Sequence, residues 1–518
     1  MAARLSDAGQ RVVLLEAGKA DNDIRLRVPA LTTAVVHNPD YDWGFPAEPD
    51  PTVGGRADKW PAGKRLGGGS SINGMIYVRG HAWDYDRWAE LGARGWSAAD
   101  ITPYFRRMET NSRGANLVRG DSGPISVSDN RVHYPIVDAF VEAAVACGIP
   151  RNPDHNGVGA GEGTDYSQAT QRNGLRCSSA TGYLHGGPAR TGLSVRTQIE
   201  VQKVLIEGGR AVGVKYRADS DGRTCDIRAA RGVVLCAGSL NSPRLLMLSG
   251  IGPADHLHSL GVPVVADLPG VGENLQEHVG SHIVARVNTP TLNSQTQGLA
   301  AVRELARFAF RRHGALTSSM CHAQAFVKTK DVEPVPDVQI SFTAFAFDIN
   351  EVGRAILHQD AAISLTVCVA RPKSRGRIRL RSNDPAAPPL ISHRLLGGEG
   401  DLERLQRGIE IGRRLLAQPT LARHVVEEIR PGPALVGDHL HEYLRQAAIP
   451  LYHPVGTCRM GKDALSVVDP DLRVHGITGL WVADASVMPT LPVGNTNATA
   501  IMIGDKGSDH ILKSRERS

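Results

Sequence analysis

Arg11-Val-Val-Leu-Leu-Glu16 is a short apolar run ending on a carboxylate, preceded by a helix-like segment at 2–8 and a stop at Gly9. A run of this length, bracketed in this way, reads as a buried parallel strand. A buried strand that ends in an acid is the second strand of a dinucleotide-binding βαβ unit, where the acid accepts hydrogen bonds from the adenosine ribose. Glu16 is the candidate for that contact. In such a unit the Gly-x-Gly-x-x-Gly turn lies ~20 residues before the acid. Counting back from Glu16 places that turn and the first strand upstream of Met1. The expectation is an α/β sheet whose first strand and phosphate-binding turn are missing, with Met1 an internal methionine or a misread start. Taken alone the run is weak, because many buried strands end in a carboxylate.

The rest of the chain must decide, and its size permits several cores. It has 518 residues, 41% of them apolar, with 56 glycines, which suits a loop-rich α/β enzyme of two or more domains. No stretch of ~18 apolar residues spans a bilayer, and Met1-Ala-Ala-Arg-Leu-Ser-Asp7 has no leader pattern. The expected location is cytoplasmic, with peripheral contact to an inner membrane left open. The net charge of +6 is mostly arginine in short runs (Arg106-Arg107, Arg311-Arg312-His313, Arg371 to Arg381) without interleaved aromatics, so it reads as surface charge and not a nucleic-acid face. Seven scattered cysteines show no C-x-x-C and no paired Cys/His spacing, so no disulfide framework and no metal site is expected. Gly-x-Ser-x-Gly and His-Glu-x-x-His are absent as well.

Gly63-Lys-Arg-Leu-Gly-Gly-Gly-Ser-Ser-Ile-Asn-Gly-Met-Ile-Tyr-Val-Arg-Gly80 joins three consecutive glycines to two serines and an asparagine. Such backbone can lie close to a flat ring or a phosphate with its N–H groups free to donate. A mobile glycine loop is the plainer reading, but the ordered continuation to Asp84-Tyr-Asp-Arg-Trp88 argues against it. Further on, Gly232-Val-Val-Leu-Cys-Ala-Gly238 reads as a strand entering a glycine turn and leads into Ser239-Leu-Asn-Ser-Pro-Arg-Leu-Leu-Met-Leu-Ser-Gly-Ile-Gly252. Near the C-terminus stand His453-Pro-Val-Gly-Thr-Cys-Arg-Met-Gly461, Gly479-Leu-Trp-Val-Ala-Asp-Ala-Ser486 and Pro492-Val-Gly-Asn-Thr-Asn-Ala-Thr-Ala-Ile-Met-Ile-Gly504.

In this order, together with Asp267 to His278 and Pro153-Asp-His-Asn-Gly157, these segments resemble the glucose–methanol–choline (GMC) oxidoreductases from residue 1 to about residue 512. The resemblance implies a discontinuous FAD-binding Rossmann-like domain and an α+β substrate domain built on an antiparallel sheet. It divides the chain into 1–285 (mostly FAD-binding, with a substrate-domain insertion at about 90–180), 286–444 (substrate-binding) and 445–518 (returning to the FAD domain). Where relatives carry a histidine that bonds FAD covalently, this chain has Ile72, so FAD is expected to be non-covalent. Cofactor contacts are expected from Glu16, Gly67, Ser71, Asn73, Gly74, Met75, Val201, Asp484 and Ala485, with an ordinary core role for Val201 nearly as good a reading.

The resemblance implies oxidation of an alcohol CH–OH group by hydride transfer to flavin N5, with His453 as base and Asn497 as its partner. An alcohol proton must leave as the hydride does, and imidazole has the right affinity for it. A lone histidine among 19 is usually only a hydrogen-bonded one; the motif around His453 lifts it above that. Proline at 454 biases His453 to an extended backbone, and Asn497 reads equally as a plain helix N-cap. The wording of the C-terminal motifs leans toward bacterial dehydrogenases acting on choline or aliphatic primary alcohols. O₂ or a quinone is expected to reoxidise the flavin, and nothing fixes the oligomeric state. A cyanohydrin-cleaving lyase on the same fold and an inactive truncated remnant stay open as alternatives, and a nicotinamide dehydrogenase fits least.

Overall fold

The apolar run that opens the chain forms the strand Val12–Glu16 in the computed structural model, which describes residues 1–157, 161–186, 189–218, 222–349 and 355–514. It pairs in parallel with Leu193–Thr197, from Val12↔Leu193 to Glu16↔Thr197. A second parallel pair joins Val233–Leu235 to Leu480–Val482. Among the described residues no strand connects the two pairs. Val12–Glu16 and Val233–Leu235 both line one large cavity. Val13 is 44% exposed, so the strand is not buried as its composition suggested, because one side opens onto that space. The strand and glycine turn expected upstream of Met1 lie outside the described residues.

Glu16 is carried onto the glycine loop by a close approach. At Gly18 an added Cβ would lie 1.9 Å from the Lys64 carbonyl oxygen, so only glycine lets the two backbones touch. The loop itself makes a short 3₁₀ turn, Gly68–Ser71.

The expected antiparallel sheet is present and has seven strands. Its path runs Val425–Arg430, Val279–Val287, Ala362–Val369, Val338–Thr343, Ala323–Val327 and Gly163–Tyr166, with Ile449–Pro450 added beside Val279–Val287. Strand Val279–Val287 runs across the 285/286 division read from the sequence. Strict alternation gives the sheet two unlike faces. Ile283, Leu365, Val367, Ile340 and Phe342 form the apolar face, which packs under the helix Asp401–Leu416. At Gly408 of that helix an added Cβ would meet Val367 Cγ1 at 2.5 Å, so the helix lies directly on the strands. The opposite face carries Gln339, Ser341, Thr343, Ser364 and Thr366.

The last segment forms a 17-residue helix, Asn497–Lys513, with Thr496 as its N-cap. No helix is long and apolar enough to cross a membrane among the described residues.

Candidate active site

Both halves of the molecule converge on a continuous cavity of about 4050 Å³. Gly67, Gly68, Gly69, Ser70, Ile72, Asn73, Gly74 and Met75 form one wall. Glu16, Val201, Asp484 and Ala485 line it too, as do His453, Asn495 and Asn497. At Gly68, Gly69 and Gly238 an added Cβ would meet nothing within 4 Å, so this wall is bare backbone facing open space. Ser239 on the same wall keeps a buried hydroxyl without a partner. A roomy cavity with exposed peptide planes and an unsatisfied hydroxyl fits a large, flat, polar group such as FAD.

Not every expected contact is arranged as expected. Ser71 does not face the cavity: its hydroxyl donates to the Leu66 carbonyl at 2.7 Å and the residue is 1% exposed. Ser70, one residue earlier, lines the cavity, but its hydroxyl donates to the Gly67 carbonyl at 2.6 Å. Asp484 reaches the cavity, yet its carboxylate is already engaged, accepting from the Gly238 N–H (2.9 Å), the Ser242 hydroxyl (2.5 Å) and the Ser486 N–H (2.8 Å). It clamps two turns of the wall together. Glu16 Oε1 accepts from the Gly18 N–H at 2.7 Å, and burial pushes its carboxyl up to about 7. Met75 has φ +64° and Tyr452 φ +67°, left-handed conformations that bulky side chains rarely adopt. Both flank the space where the reacting groups meet.

The backbone at His453 is held by its own N–H, which donates to Glu277 Oε1 at 2.7 Å. The side chain that reaches its imidazole is Asn495, whose Nδ2 lies 3.0 Å from His453 Nε2. Asn497, two residues on, is instead the first residue of the helix and makes no hydrogen bond to His453. One helical turn cannot bring both asparagines to one nitrogen, and the turn before the helix brings the earlier one. Asn495 Oδ1 is buried with no partner.

The far side of the ring explains which nitrogen is free. His278 is fully buried, and its Nε2 lies 3.1 Å from the Ala370 carbonyl. A carbonyl only accepts, so the His278 proton sits on Nε2. Burial drives the His278 pKa down to about 4, so the ring is neutral and its Nδ1 is a lone pair. His453 Nδ1 stands 2.9 Å from that lone pair and must be the donor. His453 Nε2 is left as an acceptor pointing at the cavity, and desolvation sets its pKa well below the ordinary value. Sequence reasoning quoted His278 without giving it a role.

Arg176 was missed altogether. Fully buried behind the loop, it donates to the carbonyls of Leu26 (2.9 Å), Ser70 (3.3 Å) and Asn73 (2.6 Å), to Asn73 Oδ1 (2.9 Å) and to the Thr32 hydroxyl (2.9 Å). Desolvation lowers its pKa to about 9. It fixes Asn73, whose Oδ1 also accepts from the Met75 N–H at 3.0 Å.

Buried neutral histidines make stability depend on acid. Desolvation places His278 and His282 at about 4 and His322 at about 3. Below pH ~6.5 the unfolded chain binds protons that the folded chain refuses, so stability falls as pH drops from ~6.5 toward 4, by about 1.4 kcal/mol per unit for each such histidine. Thermal melts from pH 7 to pH 4 should show a steep loss of Tm. A flat profile would mean these rings are not buried as neutral species.

Known proteins resemble this chain over most of its length. Residues 42–280 match the N-terminal region of the GMC oxidoreductase family and residues 372–504 match its C-terminal region. An oxygen-dependent choline dehydrogenase of Brucella suis is 40% identical over 518 residues, covering 99% of this chain and 93% of that one. One from Rhizobium rhizogenes is 38% identical over 99% of this chain and 93% of its own. Among solved structures, a pyridoxine 4-oxidase from Mesorbium loti superposes with a TM-score of 0.88 at 28% identity, covering 99% of this chain and 96% of its own. An FAD-dependent oxidoreductase from Chaetomium thermophilum gives a TM-score of 0.90 at 25% identity, covering 99% and 97%. The chain belongs to the GMC oxidoreductase family and is an enzyme of that flavin-dependent, alcohol-oxidising class.

Proposed function

We propose that the protein oxidises the CH–OH group of a small alcohol to a carbonyl, with His453 as base and Asn495 in place of Asn497 as its partner. The observation that carries this reading is the unprotonated Nε2 of His453, fixed by the His278–Ala370 chain and facing the cavity beside Asn495. The substrate hydroxyl displaces the Asn495–His453 contact and donates its proton to His453 Nε2, while Asn495 Nδ2 donates to the substrate oxygen. Proton removal makes the carbinol carbon electron-rich enough to lose hydride. FAD, when bound, supplies the hydride acceptor.

The backbone of residues 67–69, Asn73, Gly74, Met75 and Ala485 would hold the ring portion without a covalent bond, Ile72 having no nucleophile. Glu16 and Val201 would meet the adenosine portion. The N-terminus of the helix at Asn497 would favour negative charge placed before it. A strand lying between the free edges of Val12–Glu16 and Val233–Leu235 would complete the nucleotide-binding sheet. Choline and aliphatic primary alcohols are candidate substrates, with O₂ as acceptor, as in the oxygen-dependent relatives, or a quinone.

Anaerobic mixing of the flavin-loaded protein with a panel of alcohols tests the reading. Its absorbance near 450 nm should bleach with at least one alcohol. Asn495→Ala should slow bleaching about 10-fold or more, and Asn497→Ala far less. No bleaching by any alcohol would favour the lyase reading, and the reverse ranking of the two variants would restore Asn497.

A further inference from the structure

The polar face of the seven-stranded sheet is unusual because it is inside the protein. Gln339, Ser341 and Thr343 alternate along one strand, and Ser364, Thr366 and Cys368 along its neighbour. The pairing sets them side by side: Gln339↔Cys368, Ser341↔Thr366 and Thr343↔Ser364. His282 continues the middle row through Thr366, with His282 Nδ1 3.0 Å from the Thr366 hydroxyl. All seven side chains line the cavity, and Gln339 and Thr343 are no more than 5% exposed. Buried hydroxyl and amide groups are costly unless they find partners. Gln339 donates to Gln324 Oε1 (2.6 Å), Thr343 to the Met320 carbonyl (3.0 Å) and Thr366 meets His282, so the wall is held in place while its five hydroxyl and amide groups keep further hydrogen-bonding capacity toward the cavity.

This wall adjoins the reacting groups. Ile449–Pro450 pairs with Val279–Gly280, and the Leu451 N–H donates to the His278 carbonyl at 3.0 Å, two residues before His453. Gly280 is paired with Cys368, so the rows begin beside the His278–His453 contact and run away from it.

Charge on the wall is slight. Burial and Arg430 lower the His282 pKa to about 4, so its ring is neutral. Arg430 donates to the Phe347 carbonyl and lies 3.5 Å from Asp348. Asp58, on the opposite side, is held by Arg56 at 2.8 Å. Glu277 is buried behind His453, its carboxyl raised well above the carboxylate range by desolvation, and it does not line the cavity. The Trp43 ring already carries the Lys64 ammonium at 4.4 Å. Phe345, Phe347, Tyr443 and Tyr452 also line the cavity, but among the described residues no carboxylate stands on this wall to neutralise a quaternary ammonium.

From this we infer that the site selects an uncharged, polyhydroxylated alcohol, its reacting hydroxyl at His453 and its further hydroxyls on the Gln339–Ser341–Thr343 and Ser364–Thr366 wall. The inference rests on the alcohol-oxidising reading for the orientation of the substrate and on the sheet alone for its class.

Calorimetric titration of the flavin-loaded protein under anaerobic conditions compares xylitol with 1-pentanol, and choline with its uncharged isostere 3,3-dimethylbutan-1-ol. Xylitol should bind on the order of ten-fold tighter than 1-pentanol or better, since one well-made hydrogen bond is worth up to about that factor. Choline should bind no tighter than its isostere. The double variant Ser341→Ala/Thr366→Val should cut the xylitol-to-pentanol preference by about ten-fold, with its melting temperature confirming a folded protein. Equal or stronger binding of 1-pentanol, tighter binding of choline than of its isostere, or an unchanged preference in the double variant would overturn the inference. Flavin bleaching is read separately in the same samples, so polyol binding without bleaching would retire the redox assignment and leave the wall's selectivity standing.

Discussion

His453→Ala is expected to lower kcat by roughly 10²–10⁴-fold, the usual cost of removing a positioned base, while flavin content stays at the wild-type level. Hydride cannot leave the carbinol carbon easily while the hydroxyl keeps its proton, and the ring beside His453 is not free to take it. His278 is committed to Ala370 and to His453 itself. The same geometry predicts a graded response at position 278. His278→Asn keeps an acceptor near His453 Nδ1 and should retain most of the rate. His278→Phe removes the acceptor, so kcat should fall with little change in KM. Stopped-flow reduction across pH 5–9 measures both effects. A His453→Ala enzyme with full flavin and unaltered kcat would remove the base from the mechanism.

Arg176→Met should be the most destabilising single change near the site. The guanidinium satisfies three carbonyls, an amide oxygen and a hydroxyl in a pocket without water access. Methionine has similar length and no donors, so buried acceptors are left unpaired at about 1–3 kcal/mol each. A net loss of about 3–5 kcal/mol is expected, as for breaking a buried charged network. Tm should drop by several degrees and the protein should be recovered largely without flavin, because Asn73 and Met75 lose their anchor. Arg176→Lys should not rescue, since one ammonium cannot span acceptors arranged around a planar fork. A Met variant with wild-type Tm and flavin content would show that the loop holds itself.

The strand Val12–Glu16 is read from its composition, whereas the antiparallel sheet is expected from the resemblance alone. Val338–Thr343 and Ala362–Val369 alternate strictly, and Val12–Glu16 is too short and apolar for a surface helix. What the pattern could not say was that the polar side of the alternating strands faces an internal cavity, since a solvated face and a ligand-binding face look the same in one dimension. At the site, His453 was legible because proline follows it in a long motif. Its partner was not, because Gly494-Asn-Thr-Asn497 offers two asparagines and only the start of the helix decides between them. Ser70 and Ser71 pose the same problem across a single 3₁₀ step. Arg176 gave no signal at all: its partners are backbone carbonyls scattered over residues 26 to 73, and main-chain atoms leave no trace in composition.

Val12–Glu16 and Val233–Leu235 belong, among the described residues, to separate parallel pairs that line the same cavity. Whatever fills that cavity is a mechanical tie between stretches of chain more than two hundred residues apart, so occupancy should be felt as resistance of both pairs to local opening.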